Sequence, residues 1–251
     1  LLGFPARFFI DFFDRHGFLS VDDRPQWYAV TGGSREYVRA LTAPFRERIR
    51  VNAPVESVRR LPHEVQVRAR GGDTEHYDAV VLACHSDQAL RMLADPSPEE
   101  SALLPAFPYQ KNVATLHTDM RLLPKAPLAR AAWNYHLRTD PHLGCAVTYD
   151  MNVLQSLATR QRYLVSLNLE DRIDPATTLA TFDYDHPVYT PAGVAAQKRH
   201  AEISGVRRTF YCGAYWRYGF HEDGVVSGLA VLEQFDRWAE SLAAGPVRRV
   251  G

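Results

Sequence analysis

A short apolar run, four spaced glycines and a long helical stripe constrain this chain more than anything else in it. Phe210, Tyr211 and Cys212 are of strand type, and Gly213, Gly219, Gly224 and Gly228 follow at spacings of six, five and four. Apolar residues then recur at 225, 226, 229, 232, 235 and 238, the period of an amphipathic helix. Residues 209–238 therefore read as strand, glycine loop, helix. A helix start presents N–H groups without intrahelical acceptors, together with the positive end of the dipole. A strand that delivers a glycine loop to such a start makes a place for an anion or for an electron-rich ring edge. A plain strand–turn–helix connection has the same pattern. Gly228, inside the helix, costs about 1 kcal/mol against Ala, and a close approach of other atoms to its backbone is the expected reason.

The rest of the chain supplies context. With 251 residues it can bury a large core in one or two domains. Its 29 basic and 29 acidic residues cancel, so nothing in the charge balance calls for nucleic acid. No apolar run approaches the ~18 residues of a membrane span. Three cysteines, Cys84, Cys145 and Cys212, are odd in number and far apart, which argues against a disulfide framework and for a reducing, cytoplasmic setting.

Along the chain, Phe8, Phe9, Phe12 and Phe13 mark a helix over 6–16 that stops at Gly17. Residues 25–34 read as a strand-like run into a turn, and Ser34 as the N-cap of a helix with Tyr37, Val38, Leu41 and Phe45 inward. Strands are expected at 48–52, 54–60 and 64–70, then a continuous buried strand of the parallel type at 77–84 and a helix capped by Ser86. Residues 98–106 read as helical, 107–190 as mostly antiparallel strands, and 192–203 as a helix.

Gly213 followed by Gly219-Phe-His-Glu-Asp-Gly-Val-Val-Ser-Gly228 resembles the C-terminal FAD signature of the flavin-containing amine oxidase superfamily, which also holds phytoene-type desaturases and protoporphyrinogen oxidases. The resemblance implies that Gly213 lies near the ribityl chain and Phe220 at the flavin face. It also implies that His221 offers its backbone N–H to the flavin O2, with Glu222, Asp223, Gly224 and Val225 completing the segment. Where the family carries an acidic residue after the first glycine, this chain has Ala214. Val55 would meet the adenine, with Ala83 and Cys84 on the adenosine side. The superfamily's G-x-G-x-x-G fingerprint is absent. The resemblance thus implies an α/β (α+β) chain whose discontinuous FAD-binding domain lacks its N-terminal Rossmann unit and takes up FAD poorly alone, with an inserted, mainly antiparallel substrate domain. The implied segments are a substrate-domain helix segment at 1–27, FAD-domain segments at 28–97 and 206–245, and a substrate-binding domain at 98–205.

Trp133-Asn-Tyr135, Tyr149-Asp-Met-Asn152 and His186-Pro187 further resemble a bacterial FAD/NAD-binding subfamily, related to a domain fused to plant cyclopropane-fatty-acid synthases. That likeness implies an oxidoreductase of lipid metabolism. An apolar, lipid-like substrate would be handled by Trp133, Tyr135, Tyr149, Trp216 and Tyr218, leaving room for peripheral membrane contact. Flavin amine oxidation is the alternative, and a non-catalytic module that has lost its dinucleotide unit is the competing class. No catalytic residue is assigned, since a flavin accepts the hydride itself. Metal chemistry is not indicated: His221-Glu222 begins like H-E-x-x-H but position 225 is Val, and His136 and His142 lack a third ligand. Cys84 and His85, as strand-end neighbours, point to opposite faces, and Gly-x-Ser-x-Gly is absent.

Overall fold

The computed structural model describes residues 4–22, 26, 28–138 and 144–243. Contacts divide them into two compact units. The first holds 4–22, 50–108 and 187–243; the second holds 26–49, Trp27 excepted, and the described part of 109–186.

In the first unit, α1 (Ala6–Arg15) ends where Gly17 takes φ 68° and the Phe18 N–H reaches back to the Phe13 carbonyl at 2.9 Å. Strands β1 (Val55–Arg60), β2 (Val65–Ala69) and β3 (Thr74–Tyr77) form an antiparallel sheet. The run expected as one strand at 77–84 is in fact split. Tyr77 closes β3, and only Val80–Leu82 continues as β4. Arg208 holds the break, its guanidinium donating to the Asp78 carbonyl at 3.0 Å while its own carbonyl accepts the Val80 N–H. No strand forms at 48–52. Helix α3 (Ser86–Met92) follows, with His85 rather than Ser86 in the cap position, then α4 (Pro98–Leu103).

α4 opens with a capping box of Ser97 and Glu100. Glu100 is buried and accepts from Arg60 Nη1 and Nη2 at 2.8 Å each, from the Tyr211 hydroxyl at 2.6 Å and from the Ser97 N–H at 2.7 Å. Burial alone would push its carboxyl up, but these donors hold it below the usual carboxylate range.

The second unit contains α2 (Arg35–Thr42) and a five-stranded sheet. Its strands are β5 (Tyr109–His117), β6 (Trp133–Tyr135), β7 (Val147–Asp150), β8 (Leu164–Leu167) and β9 (Thr178–Pro187), in the order β6-β7-β8-β5-β9. A one-turn helix, α5 (Met151–Leu154), follows β7. Ser34 precedes α2 as expected but makes no capping bond. Val38, Leu41 and Phe45, expected inward, are exposed because no described element covers that face. Residues 28–34 are turn and coil rather than strand, and positions 25 and 27 of that run lie outside the described residues.

The sheet separates two chemistries by strand alternation. On one face Trp133 pairs with Tyr149 and Tyr149 with Val165, while Tyr135, Val147, Leu167 and Ala114 form the next row. On the other face a chain of side chains crosses four strands in order. The buried His117 meets Ser166 at 2.8 Å, Ser166 meets Thr148 at 2.8 Å, and Thr148 meets His136 at 2.9 Å. The Asp119 N–H donates to His117 Nδ1 at 3.1 Å, so Nε2 carries the hydrogen that Ser166 accepts.

Burial lowers the affinity of His117 and His136 for a proton, with Arg172 and Arg138 adding to it at His136. Their folded-state values lie below the unfolded one, so the unfolded chain binds protons first as pH falls. Stability is therefore expected to be flat above about pH 7.5 and to decline as pH drops below about 6.5. Denaturant midpoints measured between pH 8 and 5 check this, and His117→Gln should flatten part of the slope.

The last elements return to the first unit: α6 (Pro191–Gln197), β10 (Thr209–Tyr211) and α7 (His221–Ala243). β10 pairs in parallel with β4, Phe210 beside Val81. The unit borders thus differ from the segments expected at 98 and 205. Glu100 ties α4 to β1, and α6 is tied to the stretch after β10, so both belong with the first unit. Residues 4–22 also join it, through rings of α1 packed on Tyr189 and Tyr218. The borders expected at 27 and 245 fall outside the described residues.

Candidate functional site

β10 is buried throughout and lies parallel to β4, so the segments after both strands leave from the same end. In open α/β sheets that carboxyl end is where ligands sit. Ala83 and Cys84 follow β4 there, and Cys212 and Gly213 follow β10, with the Cys212 N–H donating to the Leu82 carbonyl at 3.2 Å. Burial pushes the Cys84 and Cys212 thiols up. Val55 stands at the exposed start of β1, in the unit's other sheet.

The connection from Gly213 to Phe220 is a tight, braced loop. Its first residue is glycine for a steric reason: a Cβ at Gly213 would lie 2.4 Å from the buried Tyr215 ring. Its N–H donates to Ser227 Oγ at 2.9 Å, which ties the loop to α7. The Ala214 carbonyl accepts from the Arg217 and Gly219 N–H groups. Gln197 of α6 donates to the Tyr215 carbonyl at 2.9 Å and to the Arg217 carbonyl at 2.6 Å. His200 Nε2 donates to the Tyr211 carbonyl at 2.7 Å, and its ring lies 4.5 Å from Trp216.

α7 begins at His221, earlier than the stripe starting at Val225 suggested. The Phe220 N–H at its cap is accepted by Asp223 at 3.0 Å, and Arg217 pairs with Asp223 at 3.2 Å. Helix geometry directs the first-turn N–H groups, those of Glu222 and Asp223 included, out of the helix start. The inward line runs through Asp223, Ser227 and Val231, with Phe235 and Trp238 on Phe210, whereas Val225, Leu229 and Leu232 stay exposed. Gly228 faces open space, so the close approach expected at it is not made by any described residue. Gly224 likewise meets nothing.

Gly219 is the opposite case. It adopts φ 92°, and a Cβ there would lie 2.5 Å from the Tyr189 hydroxyl. Gly219→Ala is expected to cost about 1–3 kcal/mol, whereas Gly224→Ala, in an open helical turn, should be neutral or stabilise by up to about 1 kcal/mol. Denaturant titration of the two variants checks the contrast.

Aromatic rings gather at the loop's end. Phe12 of α1 stacks on Phe220 at 5.3 Å and 11°, and Phe8 lies 4.7 Å from both Tyr189 and Tyr218. Tyr218 and Phe220 are therefore at the rim, partly covered by α1. Trp216, expected to touch substrate, is instead buried against Phe107, Tyr215 and His200, because the turn after Gly213 points it into the core. Trp133, Tyr135 and Tyr149 share one face of the second unit's sheet. His136 is engaged by Thr148, and His142 lies outside the described residues.

Gln197, His200 and Glu100 were not singled out by the sequence. The Ser97-Pro-Glu-Glu100 pattern marks a capping box, but nothing local shows that its Glu also meets Arg60. Gln197 and His200 have no motif at all.

Residues 8–127 match the family described as flavin containing amine oxidoreductase. No curated protein matches the chain. Among solved structures, reduced UDP-galactopyranose mutase is similar with a TM-score of 0.59 at 13% identity, covering 82% of this chain and 52% of that one. A CLA-producing fatty acid isomerase from P. acnes gives a TM-score of 0.54 at 14% identity, covering 83% and 52%. Cyclohexylamine oxidase from Brevibacterium oxydans IH-35A gives 0.54 at 15%, covering 81% and 53%. The chain spans about half the length of each of these proteins.

Proposed function

We propose that this chain, which matches the flavin containing amine oxidoreductase family over residues 8–127, is the C-terminal portion of an FAD-dependent oxidoreductase acting on an apolar, lipid-like substrate. FAD is the cofactor of that family. When bound, it supplies the site with hydride acceptance or donation.

The residues of the first unit fit such a group. A glycine loop leaves the carboxyl end of a parallel strand pair and enters a helix whose first-turn N–H groups point outward. Gly213, Gly219, Phe220 and the 221–225 turn would hold the flavin end, with Ala83 and Cys84 beside them. Val55 is assigned to the adenine. The chain's own part is to bind, orient and exclude water; Gly213, Gly219, Phe220 and the 221–225 turn belong to the first unit, and Trp133, Tyr135 and Tyr149, assigned to substrate, belong to a wall formed by one face of the second unit's sheet.

The observation that carries the lipid reading is the composition of that wall. Ala114, Leu116, Trp133, Tyr135, Val147, Tyr149, Val165 and Leu167 share one sheet face, and none bears a charge. A cationic amine would be better served by an acidic group or an open aromatic cage. Amine oxidation remains the second reading, favoured by the description of the matched family. No described helix is long and apolar enough to cross a membrane. The three cysteines are free, which accords with a reducing, cytoplasmic setting.

The test is turnover by the FAD-loaded protein on unsaturated or branched acyl lipids against simple amines. Acyl turnover that falls at least tenfold in Tyr149→Asp, with amines inert, is the expected result. Turnover of amines alone would defeat the lipid reading.

A further inference from the structure

We propose that Gln197 is a positioning residue for the flavin loop: its side-chain amide fixes the peptide planes that aim the 213–220 backbone at the cofactor. This rests on the flavin reading given above, and it extends it to a residue on a separate helix, outside the glycine signature.

The 3-10 turn between β10 and α7, Ala214–Trp216, closes with the Trp216 N–H on the Gly213 carbonyl and the Arg217 and Gly219 N–H groups on the Ala214 carbonyl. The Tyr215 and Arg217 carbonyls both accept from Gln197 Nε2, at 2.9 and 2.6 Å. Two carbonyl oxygens on one atom require that atom to be the amide nitrogen, so the orientation of the carboxamide is fixed.

In a trans peptide the C=O and the following N–H point in opposite directions. Holding the Arg217 carbonyl toward α6 therefore turns the Tyr218 N–H away from α6. His200, three residues further on, does the same for the strand, donating to the Tyr211 carbonyl. The segment from 191 to 202 is thus a back-brace for β10 and its loop. Ser227 and Asp223 fasten the loop's two ends to α7, at the Gly213 and Phe220 N–H groups. Gln197 fastens the middle from α6 through two backbone carbonyls, while the Arg217 side chain pairs with Asp223 at 3.2 Å.

The chemistry needs a donor of two hydrogens with this reach. Gln197→Glu keeps the shape and presents oxygens to two carbonyls, so it removes the hold and adds repulsion. Gln197→Lys restores donors on a longer stem. The experiment reads two quantities in wild type and both variants: amide hydrogen exchange of the 213–220 segment without ligand, and the dissociation constant for FAD in the protein that carries it. Gln197→Glu is expected to speed exchange in 213–220 and to weaken FAD about tenfold, equivalent to about 1.4 kcal/mol. Gln197→Lys should return both toward wild type.

Unchanged exchange in Gln197→Glu overturns the hold itself. Faster exchange with unchanged FAD affinity overturns the positioning role and leaves a brace for the fold. Failure of Gln197→Lys to recover FAD affinity where it recovers exchange also counts against it. If the longer protein that carries this chain together with a dinucleotide-binding unit takes up no FAD while Gln197→Glu still loosens the loop, the flavin reading has failed, and the positioning role fails with it.

Discussion

Glu100→Ala is expected to destabilise the protein by about 3–5 kcal/mol, the cost of leaving a buried guanidinium without its carboxylate. Both partners are almost fully enclosed, with side-chain exposures of 1% for Arg60 and 3% for Glu100. The Arg60 Nε also meets Asp95 at 2.8 Å, but Asp95 is partly exposed and shared with Arg207. It can carry only part of the charge left behind. The Tyr211 hydroxyl loses its acceptor in the same change. Burial and the Glu100 carboxylate together push the Tyr211 hydroxyl up, so it stays a neutral donor at any working pH.

A natural stability of ~5–15 kcal/mol leaves little after such a loss. Replacing both members, as in Arg60→Met with Glu100→Leu, should cost clearly less than Glu100→Ala, because no charge is then stranded. Chemical denaturation of the singles and the double gives the coupling between them. A Glu100→Ala protein within 1 kcal/mol of wild type, roughly the worth of a surface pair, would mean the site is wetter than its burial indicates.

The strand–loop–helix at 209–238 was legible in the sequence because its parts are local: an apolar run, glycines and a 3.6-residue period. Its first turn was not, since His221, Glu222 and Asp223 are polar and lie ahead of the apolar stripe. They are helical because Asp223 caps the Phe220 N–H, a three-residue contact that hydrophobic periodicity does not register. The stripe itself misled about direction. Val225, Leu229 and Leu232 follow the period yet stay exposed, while Ser227 and Asp223 are buried for the hydrogen bonds they make.

The β-rich middle was visible as alternation, and strands at 109–117, 133–135, 147–150, 164–167 and 178–187 lie within the 107–190 stretch expected to be mostly strand. Trp133, Tyr135 and Tyr149 alternate onto one sheet face, whereas Trp216 sits in a turn, where no alternation exists to read. Long-range ties such as Arg60 to Glu100 or Gln197 to the loop join residues far apart in the chain. No single-sequence pattern encodes them. The family match, over residues 8–127, lies outside the glycine signature at 213–228.

We propose that the start of α7 faces the flavin's pyrimidine edge. His221 is the first helical residue, a position where proline is well tolerated. His221→Pro removes one N–H from that turn, and His221→Ala keeps it. Reduced flavin carries negative charge at N1/O2, so a first-turn N–H and the helix dipole favour the reduced form. The dipole contributes about 0.3–1 kcal/mol when exposed and up to ~2 when partly buried, and a charge-assisted hydrogen bond about 1.5–3 kcal/mol. For a two-electron couple about 1.4 kcal/mol is ~30 mV. A redox titration of the FAD-loaded protein should therefore give a potential lower by roughly 30–60 mV in His221→Pro and nearly unchanged in His221→Ala. Equal shifts in the two variants would assign the effect to the imidazole, and no shift in His221→Pro would remove the helix start from the flavin site.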